Sequence, residues 1–317
     1  MVLFAAAATF EESYRAGLQA LQQNRLPDAK TELEAATKLK PDSGGAWLAL
    51  AQTYRKLQDA AEAERAADRA ARLVANQPAM LRLLAAFYSE GRQWEKADAE
   101  FQAAIRSSPY DESLAFDYAQ SLLSRQRFDA ALVVLVAARK NFDKSAQIEL
   151  ALGVSYYGLR RYREAAASFE RTIALAPDVE QPYVFLGKML DQIPDRVPRL
   201  VGVFADYAKR HPESGAACLL HAKALLAQSP GSSEPEGLLR RAAALDARLA
   251  EAHSLLGALL QQQHRFRDAG SEFEIAAKLA PEDAATYYHL AQIYDRLGLA
   301  AQAQAARARH AELMSSR

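Results

Sequence analysis

The chain repeats itself with a fixed period, and that period constrains its fold more than any other feature. Small residues at Gly17, Ala51, Ala85, Ala119, Gly153 and Gly187 follow one another at intervals of 34 residues, and Ala222, Gly257 and Ala291 continue the series at intervals of 35, 35 and 34. A second series runs twelve residues later, through Ala29, Ala63, Ala97, Ala131 and Ala165, and returns as Ala269 and Ala303. A third marks the end of each unit with Pro41, Pro109, Pro177, Pro212 and Pro281. Three series in one register require one supersecondary unit stacked many times, because self-similarity over a few tens of residues is the mark of repeat architectures.

Each unit reads as two helices. Counted from the start of a unit, positions 4, 7, 8 and 11 fall on one face of a first helix, and positions 20, 24 and 27 on one face of a second. The small residue of the first helix lets the second approach, and a large residue such as Phe101 or Phe169 fills the space between neighbours. A lone pair cannot bury both faces, so stability must come from stacking. Half of the 317 residues are apolar, with only 14 glycines and 12 prolines, a composition that favours helix. Strand content is expected to be near zero. A single core of this size would ordinarily divide into two domains, a limit that a repeat architecture escapes.

The motifs resemble the tetratricopeptide repeat, whose pattern is W-x2-L-G-x2-Y, then A-x3-F, then P. Trp47-x2-Leu50-Ala51-x2-Tyr54 is the fullest opening match, repeated in part by Leu84-Ala85-x2-Tyr88, Leu152-Gly153-x2-Tyr156 and Leu290-Ala291-x2-Tyr294. Ala97-x3-Phe101, Ala165-x3-Phe169 and Ala269-x3-Phe273 carry the second half. The resemblance implies an all-α fold, a right-handed α-solenoid superhelix of antiparallel helix pairs forming a single domain over residues 10–317. Its nine units would be 10–43, 44–77, 78–111, 112–145, 146–179, 180–214, 215–249, 250–283 and 284–317.

The sixth and seventh units each hold one extra residue. Ile193-Pro194-Asp195-Arg196-Val197-Pro198 and the Ser229 to Gly237 segment read as lengthened turns inside helical hairpins. The last unit places Arg307 where the other units have Phe, Leu or Ala, and His310 where most have Ala, as expected of a capping repeat. Residues 1–9 are expected to fray. Met1 to Ala8 end in Ala6-Ala7-Ala8, which satisfies an A-x-A cleavage pattern, but no positive segment precedes it. A frayed terminus is favoured over an export-signal remnant, and the compartment stays open, with the cytoplasm favoured over the periplasm.

Chemistry-bearing residues are sparse. Lysine plus arginine and aspartate plus glutamate each number 39, so no net field steers the chain toward nucleic acid or an anionic membrane. The one cysteine, Cys218, sits three residues before His221, a spacing that could pair a thiol with an imidazole. The register places both on the packed face, where a cysteine is a small hydrophobe. No two histidines share a helix face at ligand spacing, and neither glycine-rich phosphate loops nor hydrolase motifs occur. No enzyme, metal or cofactor is expected, and no apolar run approaches the length of a membrane span.

What remains is a surface. The resemblance implies that positions 2, 5, 9 and 12 of each first helix line an inner wall that holds peptides or protein segments. In units four to six that wall contains Phe116, Gln120, Leu150, Val154, Tyr157, Val184 and Lys188, apolar anchors interspersed with polar groups. Whether superhelical curvature buries this strip between adjacent helices cannot be read from spacing. The expected function is a non-catalytic scaffold for a protein or peptide partner. A self-assembling structural repeat is the second reading, with the monomer favoured, and an RNA-binding helical repeat the third, set back by the absence of a basic wall. A carboxylate clamp is not expected, since Tyr14 and Leu18 occupy the places of its lysine and asparagine.

Overall fold

The computed structural model describes residues 9–230 and 232–315, so an export-signal remnant at residues 1–8 lies outside the described residues. Among the described residues the regular structure is eighteen α-helices and two short 3-10 turns. The chain divides into two compact units, residues 1–143 and 144–317.

The first unit holds four helix pairs. They are α1 (Phe10–Gln22) with α2 (Leu26–Leu39), α3 (Gly44–Lys56) with α4 (Ala60–Leu73), α5 (Pro78–Glu90) with α6 (Trp94–Ser107), and α7 (Glu112–Ser124) with α8 (Phe128–Arg139). The second unit holds α9 (Ala146–Gly158) paired with α10 (Tyr162–Leu175), then α11 (Gln181–Lys188) and α12 (Val197–Arg210). Three further pairs complete it: α13 (Gly215–Gln228) with α14 (Pro235–Leu245), α15 (Ala250–Gln262) with α16 (Phe266–Leu279), and α17 (Ala284–Arg296) with α18 (Ala300–Ser315).

Local chemistry punctuates the helices. Ser43, Asp111, Ser145, Ser214 and Asp283, most of them just after a unit-ending proline, accept hydrogen bonds from the first free amides of α3, α7, α9, α13 and α17. The turns inside the regular pairs bend through one left-handed residue. Asn24, Gln58, Arg92, Gln126, Arg160 and His264 take it at φ near 60°, and Gly298 at 73°. All seven share one register position.

The N-terminal end corrects the expectation of fraying through residue 9. Thr9 and Glu12 form a reciprocal capping box at the start of α1, the Thr9 side chain receiving the Glu12 amide and the Glu12 carboxylate receiving the Thr9 amide. Thr9 is therefore held in place as the N-cap of α1.

The small-to-large pairing read from the register is present where expected. A methyl group added at Gly153 would stand 2.4 Å from the ring of the fully buried Phe169, and one at Gly257 would stand 3.0 Å from Phe273. The sixth unit departs from the rule. Helix α11 is only 8 residues long, and two 3-10 turns, Leu190–Gln192 and Pro194–Arg196, follow it. Gly187 meets Leu220 of α13, not a residue of α12. Between α11 and α12 stand aromatic rings, with Tyr183 stacked on Tyr207 at 3.9 Å and Phe204 beside them at 6.3 Å. The segment expected to be a lengthened turn thus replaces a close hairpin by a wider aromatic-filled one, and α12 packs closely against α13. The lengthened turn of the seventh unit keeps its hairpin.

Candidate protein-interaction surface

The first helices of successive pairs present their inner-wall positions to one another. In the first unit Arg55 donates to Glu90 at 2.9 Å, Arg82 donates to Asp117 at 2.5 Å and to Ser113 at 3.2 Å, and the hydroxyls of Ser89 and Ser121 lie 3.4 Å apart. Helices α13, α15 and α17 continue the arrangement through Lys223 with Glu251, Ser254 with Thr286, and Gln261 with Gln292 and His289. Here the polar groups of the wall satisfy one another. Arg55 is also stacked 3.2 Å over the Phe87 ring, so it is a structural tie and not an idle wall residue.

Helices α9 and α11 differ. At the equivalent positions they carry Leu150, Val154, Tyr157 and Val184, all half-buried, beside the exposed Lys188. Leu150, Val154 and Tyr157 pack against the core formed by α10 to α13. The Tyr157 ring meets Phe185 edge-on at 5.1 Å and Tyr162 at 5.8 Å. The strip is therefore neither fully open nor closed by its neighbours: aliphatic and aromatic edges reach the surface while their roots anchor the helices. Lys188 has no partner among the described residues. These five residues lie in the second unit. Phe116, half-buried, and Gln120, exposed, lie on α7 in the first.

Sequence reasoning missed a second set of polar contacts. Tyr54, Tyr88 and Tyr294, at the position that closes each opening motif, donate to acids on the preceding second helix: Glu34 at 2.7 Å, Asp68 at 2.8 Å and Glu274 at 3.0 Å. A constant separation of 20 residues was the available signal. Burial and the bond to an acid hold these phenols well above their ordinary range, Tyr294 at about 12. They stay protonated and serve as fixed donors between pairs.

Cys218 and His221, the thiol–imidazole spacing of the sequence, both lie on α13. Cys218 is buried, and that burial raises its thiol pKa, while burial lowers the pKa of His221. Both shifts favour a neutral thiol beside a neutral imidazole, opposite to an activated thiolate pair. His253 hydrogen-bonds Glu272 at 2.7 Å, and His289 stacks on Phe273 at 5.0 Å. Among the described residues no three His, Cys, Asp or Glu side chains cluster as a metal site would require, and no helix is long and apolar enough to cross a membrane.

Comparison with known proteins agrees with this architecture. The family model described as the tetratricopeptide repeat matches residues 14–79, 116–180 and 150–189. Superkiller protein 3 of Schizosaccharomyces pombe is 25% identical over 178 residues, a match that covers 53% of this chain but only 13% of that relative. Among solved structures, the C-terminal part of a TPR repeat-containing protein from Cytophaga hutchinsonii superposes with a TM-score of 0.56 at 15% identity, covering 87% of this chain and 99% of that one. YrrB, a TPR protein with an unusual peptide-binding site, has a TM-score of 0.44 at 18% identity, covering 54% of this chain and 88% of its own. The period, the helix pairs with their glycine-to-phenylalanine packing, and the family match over residues 14–79 and 116–189 show that the chain carries tetratricopeptide repeats.

Proposed function

We propose that the chain is a non-catalytic scaffold that holds a protein or peptide segment on the inner wall of its first helices, with Leu150, Val154, Tyr157, Val184 and Lys188 of the second unit as the principal contacts; Phe116 and Gln120 hold the same register positions on α7 of the first unit. One observation carries this reading. Where first helices α3 to α7 and α13 to α17 tie their wall positions together through polar pairs, α9 and α11 hold apolar edges and an unpaired ammonium group. A wall whose polar groups are already satisfied gains little from a ligand. Apolar edges gain by burial, and Lys188 can donate to a backbone carbonyl or a carboxylate.

The test is selection of peptides from a displayed library against the full chain, followed by titration of a recovered peptide into variants. Lys188→Glu and Val184→Ala should each weaken it at least tenfold, about 1.4 kcal/mol, while Lys278→Ala on the exposed side of α16 should leave it unchanged. Arg55→Ala is not a neutral control, because Arg55 is tied to Glu90 and Phe87. Equal affinity for all variants, with helicity intact, would remove α9 and α11 from the site.

A further inference from the structure

The second helices of the pairs mostly expose charge. Along one stripe α4 carries Glu62, Arg65 and Arg69, and α16 carries Asp268 and Glu272. Helix α8 carries Ala130, Val133, Val134 and Ala137 at the same register positions, with no charged residue between Asp129 and Arg139. Their spacing puts all four on one face. Val133 is 72% exposed, an arrangement that disfavours the chain in water unless something covers it.

This stripe forms one wall of a groove of about 650 Å³ whose remaining apolar surface comes from Ile105 of α6, Ala115 and Tyr118 of α7, and Phe142. The polar groups in it are occupied. Gln102 donates to the Tyr118 hydroxyl at 3.2 Å, Asn141 donates to the Pro109 carbonyl at 3.2 Å, and the Asp111 carboxylate receives two amides and the Ser113 hydroxyl as the cap of α7. One lining cation, Arg106 at the end of α6, is not occupied. Lys140, its register equivalent 34 residues later at the end of α8, is not itself a lining residue but adjoins Asn141, which is. Neither has a partner among the described residues.

We propose that this groove docks a short amphipathic helix of a partner protein, apolar on one face and acidic where it meets Arg106 and Lys140. The stripe from Ala130 to Ala137 is about two helical turns, roughly 12 Å long at 1.5 Å per residue, which suits anchors at i, i+3, i+4 and i+7. A second copy fits less well. A two-fold contact would set the same patch against itself, bringing the unpaired cations of both copies to one interface. This surface lies on helices other than α9 and α11 and does not rest on the function proposed for them.

The test uses the full chain and two synthetic, helix-stapled peptides with leucines at i, i+3, i+4 and i+7, one flanked by glutamates and the other by lysines. The glutamate peptide should bind at least tenfold more tightly than the lysine peptide. Val133→Glu should weaken it at least tenfold, and Arg106→Glu with Lys140→Glu should reverse the preference, whereas Lys278→Glu on the exposed side of α16 should have no effect. The substituted side chains are at the surface, so circular dichroism should report unchanged helicity. Equal affinity for the two peptides, binding that survives Val133→Glu, or binding of neither peptide would overturn the proposal. A concentration-dependent dimer that Val133→Glu dissociates would assign the groove to a second copy instead.

Discussion

Two neighbouring helix pairs of the second unit solve the same packing problem in opposite ways. Between α9 and α10, Gly153 leaves room for Phe169, and the helices close to a distance at which an added Cβ would press into the Phe169 ring. Between α11 and α12, Tyr183 stacks on Tyr207, and the helices stand apart by the thickness of the rings. Gly187 still occupies the small-residue position, but its space is taken by Leu220 of α13. A small residue opposite a large one sets a tight hairpin, whereas large opposite large sets a wide one and passes the close contact to the next first helix. Around the wide pair Arg210 donates to the Tyr183 hydroxyl and the Pro177 carbonyl and pairs with Asp178, fixing the rings at their edge.

The largest effect should come from removing the large partner of the tight pair. Phe169→Ala empties a fully buried site and should cost about 3–5 kcal/mol. In an array whose cooperativity can break down along its length, amides of α9 and α10 should lose hydrogen-exchange protection before those of α17 and α18. Uniform loss across the chain would show that the pair is not a local unit.

Adding one methyl group sharpens the contrast. Gly153→Ala places a Cβ against the buried Phe169 ring and should cost about 1–3 kcal/mol by overpacking. Gly202→Ala, in α12, meets nothing within 4 Å and should stabilise by about 0.5–1 kcal/mol, because alanine is the better helix former. Chemical denaturation of both variants checks the opposite signs. Two values of the same sign would mean that the two helix pairs do not differ as described.

The smallest effect concerns the other lengthened turn, before α14, where charge and not aromatic packing ties the structure. Glu236 accepts from Arg240 at 2.6 Å and from Arg265 at 2.8 Å, and these bonds lower its pKa to about 2 from an ordinary 4.5. A depressed carboxylate contributes stability that is fully present above its unfolded value and lost as pH falls from about 4.5 toward 2. Solvent screening keeps this to at most about 1 kcal/mol. Glu236→Gln should therefore lower stability at pH 7 and converge with the parent near pH 2, as thermal unfolding across that range would report.

These comparisons also show what the sequence can reveal. The period alone placed the helix pairs, because alternating small and large residues at fixed offsets leave few other ways to bury both faces. Thr9 and Glu12 offered a legible capping signal that the apolar start of the chain obscured. The wide pair was hidden for a different reason. Gly187 satisfies the motif, and only geometry shows that its partner is Leu220 and that Tyr183 and Tyr207 meet. The polar ties between first helices were equally unreadable, since Arg55 and Glu90 are linked by the stacking of two units and not by any local spacing. The inner-wall residues could be assigned from the register, but the difference between a satisfied wall and an apolar one emerges only when each polar partner is known.

Hydrogen exchange on the full chain with a selected peptide bound tests whether α9 and α11, whose wall positions are not tied to one another, form the proposed binding face. Exchange should slow in α9 and α11, centred on Val154, Tyr157 and Val184, with little change in α15 and α17, where Gln261 and Gln292 already satisfy each other. Protection confined to α15 and α17, with α9 and α11 exchanging as in the free protein, would contradict it.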